Sequence, residues 1–146
     1  MTTMKDFGFQ IGRLTVAVYG WEFDELTCKD DAQWLLISMK YRSAFNTVEV
    51  TGPFLRADEL VRLTADLEAL AEGQVQELNF DTRETVLHLC LERRGSLGVL
   101  QLAVMLQDAE MTEEHRFSEE LGIGDLPAVV RSSKDVIVQY PADRPF

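Results

Sequence analysis

Reactive side chains are scarce in this 146-residue chain. It has two histidines, His88 and His115, and two cysteines, Cys28 and Cys90. Two cysteines do not make a disulfide framework, so a reducing compartment is the default. No G-x-S-x-G turn is present, and no serine or cysteine nucleophile motif stands out. No apolar run approaches the ~20 residues of a membrane-spanning helix. The opening Met1-Thr2-Thr3-Met4-Lys5-Asp6 lacks the charged-then-apolar order of a secretory signal, which places the expected location in the cytoplasm. Positive charge is also short: 14 Lys and Arg stand against 25 Asp and Glu, a formal net charge of −11. Phosphate backbones and anionic membranes call for clustered Lys and Arg, so neither is an expected partner. A basic protein, steered in by the long-range field, is compatible with this balance.

What the chain does have is strand patterning. At this length one acidic domain over residues 1–146 is expected, able to fold without metal or disulfide. Phe7, Phe9 and Ile11 alternate, and so do Leu14, Val16 and Val18 after Gly12-Arg13. An acidic loop follows, with Trp21 and Phe23 among Glu22, Asp24, Glu25, Asp30 and Asp31. Trp34–Arg42 reads as a partly central strand. Phe45–Val50 reads as its hairpin partner, ended by Gly52-Pro53 because proline cannot donate to a ladder. Leu60, Leu63, Leu67 and Leu70 recur at helical spacing and predict a helix over 57–72, with Thr64 at the edge of its apolar face and Gly73 as the stop. Residues 77–80, 84–92 and 97–107 read as strands, the last two forming a hairpin across Arg93-Arg94-Gly95-Ser96. The acidic stretch 108–120 predicts mostly loop, with one edge strand around His115-Arg116-Phe117. Val136-Ile137-Val138 favours strand by propensity. Leu126, Val129, Val130, Ser133, Ile137 and Tyr140 share a helical face, however, and with Asp125 as N-cap and Pro127 early they predict a helix over 125–140. No internal repeat is visible. The fold expected is α+β: an antiparallel β-sheet, or sandwich-like curved sheet, with two amphipathic helices.

Candidate sites are few. His88 and Cys90 share a strand face, but zinc needs three or four ligands and no second cluster accompanies them, so core or subsurface positions are expected. Glu113, Glu114 and His115 resemble half of an acid/base arrangement; with 25 acids some pairing is unavoidable. Asp24-Glu25 and Asp30-Asp31 lack the order of a calcium loop. Arg93-Arg94-Gly95-Ser96 looks like a basophilic kinase site, but reads first as a hairpin turn. Of the two tryptophans, Trp34 opens an apolar strand and is assigned to the core. Trp21, beside the acidic loop, is the interface candidate.

One order of elements carries a resemblance. Tyr19-Gly20-Trp21-Glu22-Phe23 leads into the acidic loop, followed by Asp31-Ala32-Gln33-Trp34-Leu35-Leu36-Ile37. A helix then ends Leu67-Glu68-Ala69-Leu70-Ala71-Glu72-Gly73, strand pairs follow, and a closing helix runs into Tyr140-Pro141. Over roughly residues 14–141 this resembles the small bacterial proteins grouped as WapI-type immunity proteins, often encoded beside polymorphic toxins. The resemblance implies a cytoplasmic, non-enzymatic protein that binds and blocks a cognate toxin domain, with no cofactor and no metal. It carries no residue roles with it. A nuclease toxin would be basic, which suits an acidic inhibitor. The contacts expected are Trp21 as an aromatic anchor and, from charge, Glu22, Asp24, Glu25, Asp30 and Asp31, and secondarily Asp108, Glu110, Glu113 and Glu114. Two other readings compete. A small-molecule binder or enzyme would need a deep cavity near His88, Glu92 or Tyr19. A component of a homo-oligomer would need a large apolar surface patch.

Overall fold

The computed structural model describes residues 7–23 and 33–143. Asp24, Glu25, Cys28, Asp30 and Asp31 lie outside the described residues. Eight strands and two helices are present: β1 (Phe7–Ile11), β2 (Leu14–Trp21), β3 (Trp34–Arg42), β4 (Thr47–Arg56), α1 (Ala57–Ala71), β5 (Glu77–Asp81), β6 (Leu87–Arg94), β7 (Leu97–Gln107), β8 (Thr112–Gly122) and α2 (Leu126–Gln139). The fold is α+β, with two antiparallel four-stranded sheets in the orders β1-β2-β3-β4 and β5-β6-β7-β8.

The alternation read in the sequence decides which faces are buried. Leu14, Val16 and Val18 of β2 point inward with Leu35, Ile37, Met39 and Tyr41 of β3. In the second sheet Leu78, Phe80, Leu87, Leu89, Leu91, Leu100, Leu102 and Val104 do the same. Both inner faces and both helices contribute to one continuous set of buried side chains. From α1 come Leu60, Leu63, Leu67 and Leu70, at the spacing expected. Thr64 departs from expectation, being buried; its hydroxyl donates to the Leu60 carbonyl at 2.8 Å, which satisfies it inside the helix. Gly73, at φ +77°, follows the helix. The 125–140 segment is helical despite its Val-Ile-Val run. Its buried face is Leu126, Val129, Val130, Ser133 and Val136, and packing overrides strand propensity. Asp125 ends a short 3-10 turn and makes no side-chain cap.

The two halves share one plan. Each is a four-stranded meander followed by a helix, a repeat of elements that no sequence period announces. Helix α2 packs against β1 of the first half, α1 lies between β4 of its own half and β5 of the second, and the helices pack on each other. A polar clasp joins β3 to β8. Tyr41 stacks on Phe117 with centroids 4.0 Å apart, and its hydroxyl donates to Glu119 Oε2 at 2.6 Å. Burial and the adjoining carboxylate push the Tyr41 phenol above its ordinary pKa.

Three strand boundaries differ from the sequence reading. β4 does not end at Gly52-Pro53. It continues to Arg56, because it is an edge strand and a bulge absorbs the proline: Ile37 pairs with Gly52 and Leu35 with Leu55, leaving Pro53 and Phe54 opposite Leu36 alone. The acidic stretch is not mainly loop. Residues 112–122 pair along the whole of β7, since His115, Phe117, Glu119 and Leu121 alternate inward and the apolar partner strand supplies the register. β6 starts at Leu87 rather than Glu84, because Thr85 adopts φ +55° in a turn. Of His88 and Cys90, neither is in the core; half-buried Cys90 is subsurface as expected, and His88 is not. They face outward, with His88 exposed beside Asp81 and Cys90 beside Glu77, while Leu87, Leu89 and Leu91 take the buried face.

Candidate functional site

The β4 bulge builds one wall of a groove between the two halves. Phe54 folds back so closely over Gly52 that a Cβ there would lie 2.6 Å from its ring, so glycine is what admits this ring position. Trp34, expected in the core, is only half-buried and stands beside Phe54 in the same wall, with the Arg56 guanidinium 5.3 Å from its ring centroid.

The opposite wall comes from residues 82–86 and the end of β7. The Thr82 hydroxyl accepts the Leu87 amide at 3.2 Å, and the Val86 carbonyl accepts the Met105 amide at 2.8 Å. Glu59 of α1 pins this turn from behind. Its carboxylate accepts the Arg56 amide at 2.9 Å and the Arg83 amide at 2.6 Å, and burial raises its pKa despite those bonds. A further turn closes β7 onto β8. Asp108 accepts the amides of Glu110 (2.8 Å) and Met111 (2.7 Å), and these bonds hold its carboxyl below the ordinary aspartate range.

Between the walls lies a cavity of about 540 Å³, joined through Phe54, Val86 and Gln107 to another of about 300 Å³. Phe23, Trp34, Pro53, Phe54, Val86, Leu106 and Met111 line them as the apolar floor. Glu22, Glu84, Asp108 and Glu113 form the rim, and no described Lys or Arg lines either cavity. An apolar trough edged by one sign of charge suits an apolar side chain flanked by cations.

The structure therefore brings Glu22 together with Asp108 and Glu113, which the sequence places 86 or more residues away. Glu113 also meets His115 Nε2 at 2.6 Å. Glu114 projects from the opposite face of β8, where it pairs with Arg116 at 2.6 Å. Glu110 is exposed in the turn beside the groove. Trp21 does not line the groove; it meets the Tyr140 ring edge-on, with centroids 5.6 Å apart. Sequence reasoning missed Glu84, Phe54 and Val86. The first and last were read as strand residues and Phe54 as chain beyond a strand end. The proline after Gly52 was the available signal for a bulge.

Among the described residues, no three of His, Cys, Asp and Glu come together as metal ligands. A depression of about 350 Å³ beside His88 opens on the outer face of the second sheet, with Gln101, Arg116 and Ser118. Glu92, in contrast, pairs with Arg94, and Tyr19 is exposed. No helix of the described residues is long and apolar enough to cross a membrane.

Fold and groove together define a strand-rich α+β protein with a concave surface that is apolar within and acidic at its margin. The family model described as the immunity protein WapI-like family matches residues 7–141, and the chain belongs to that family. No curated protein and no solved structure matches the chain.

Proposed function

We propose that this chain is a non-enzymatic immunity protein of the producing cell's cytoplasm, and that it neutralises a cognate toxin domain by docking it in the groove. The observation that carries the reading is the ring of carboxylates, Glu22, Glu84, Asp108 and Glu113, around an apolar floor that no cation among the described residues lines. That chemistry fits a basic toxin surface presenting an apolar anchor, as a nucleic-acid-cleaving domain would, and a −11 charge would speed the encounter. Glu110, exposed beside the groove, and the net acidity contributed by residues 24, 25, 30 and 31 would add to the long-range attraction.

Co-expression with the toxin domain encoded beside it tests this. The wild-type chain is expected to rescue growth. Glu84→Lys combined with Glu113→Lys is expected to weaken capture of the purified toxin roughly tenfold or more, mostly in the association rate at low salt. Unchanged capture by this variant, with no salt dependence, would remove the groove from the account.

A further inference from the structure

At the far end of the first sheet the charge reverses. Arg13, Lys40 and Arg42 surround a depression of about 460 Å³ together with Gln10 and Thr15, and no carboxylate among the described residues lines it. Strand register places Gln10 opposite Thr15 and Thr15 opposite Lys40, and Arg13 reaches across to donate to the Arg42 carbonyl at 3.3 Å. None of the three cations belongs to an ion pair among the described residues. Glu49 stands opposite Lys40 across the β3–β4 register and Glu119 accepts the Arg13 amide, yet three cations against two acids at one end of a chain with 25 acids and 14 bases is a local reversal of the overall balance.

Phe45 projects from the same end. It is 96 % exposed, at the tip of the β3–β4 hairpin. The turn that carries it is closed by hydrogen bonds. Ser43 donates its amide to the Asn46 carbonyl at 2.9 Å, and its hydroxyl accepts the amides of Phe45 (3.1 Å) and Asn46 (3.0 Å). An aromatic ring held in water on a preorganised turn is a ready anchor, because little ordering remains to be done on binding. Trp34, at the groove, opens β3, and Arg42 closes it; eight steps of about 3.3 Å separate the two ends by roughly 26 Å.

We propose that the two ends bind one another between copies of this chain. Phe45 of one copy enters the apolar groove of the next, and Arg13, Lys40 and Arg42 face the rim carboxylates Glu22, Glu84, Asp108 and Glu113. The second copy is the occupant that the charges select, since the surface complementary to this knob is already present on the same molecule. The contact joins two different surfaces, so it is heterologous and grows head to tail or closes into a ring. Mutual repulsion of −11 chains keeps it weak, and at about 0.15 M salt a Debye length near 8 Å screens that repulsion more than the short-range pairs. The inference rests on the groove being a protein-binding surface but needs no toxin. Copies so joined have filled grooves, and toxin binding then disassembles them.

Sedimentation velocity of the purified chain at that salt is the test, with the average mass expected to rise with concentration. A knob variant, Phe45→Asp with Arg42→Glu, and a groove variant, Glu84→Lys with Met111→Lys, are each expected to stay monomeric. Mixed, they are expected to form a one-to-one pair that grows no further, because only one productive contact remains. Phe45 and Met111 are 96 % and 63 % exposed, so folding is expected to survive, as circular dichroism will check. A wild-type chain that stays monomeric throughout, a mixture that fails to pair, or a dimer that survives both variants overturns the proposal. If the wild type is monomeric while the groove variant loses toxin capture, self-association falls and the toxin reading stands.

Discussion

Gly12 is the residue on which the clasp between the sheets closes. It sits at φ +58°, and a Cβ on it would collide with the Glu119 carboxylate. That carboxylate is already committed to the Arg13 amide at 3.1 Å and the Tyr41 hydroxyl at 2.6 Å. Gly12→Ala is therefore expected to cost about 1–3 kcal/mol in urea unfolding, through strain and displacement of Glu119 together. Two other carboxylates have opposite pH dependences. Asp108 has a folded pKa below its ordinary value, so its contribution is present above the usual aspartate range and lost as pH falls through the lowered value. Glu59 has a raised folded pKa, so its protonated form favours the fold, and that contribution is lost as pH rises through the raised value. Unfolding midpoints measured from acid to neutral pH should show each slope disappear selectively, in Asp108→Asn and in Glu59→Gln.

At the level of elements, legibility followed how strongly local pattern and tertiary context agree. α1 could be read because four leucines on one face, acids in its first turn and a glycine after it all point the same way. All four leucines are essentially fully buried, so Leu67→Ala should destabilise the chain by about 2–5 kcal/mol in denaturant titration. β2, β3 and β7 could be read from period-two patterning. β8 could not, because Thr112-Glu113-Glu114-His115-Arg116 looks solvated in isolation and becomes a strand only against the apolar ladder of β7. β4 failed for a different reason: the rule that proline ends a strand holds for central strands, and sheet order is not encoded near Pro53.

At the level of the molecule, the charge excess was legible and its distribution was not. The groove draws its walls from β3, β4, the 82–86 turn and the end of β7, so only the assembled fold puts Glu22 beside Glu84. Acidity alone pointed to residues of the 24–31 loop and to Glu114 as readily as to Glu113, whereas strand alternation separates Glu113 from Glu114 by a whole sheet face. The concentration of Arg13, Lys40 and Arg42 at one end of β3 was likewise invisible to a net count. The packing of α2 on β1 carries a consequence for synthesis of the chain. β1 receives its cover from α2, which begins 115 residues after β1 ends, so the first meander leaves the ribosome with an apolar flank bare. It must stay in that state until α2 too has been translated, which makes synthesis of that helix, rather than emergence of the first half, the moment at which the native core can close.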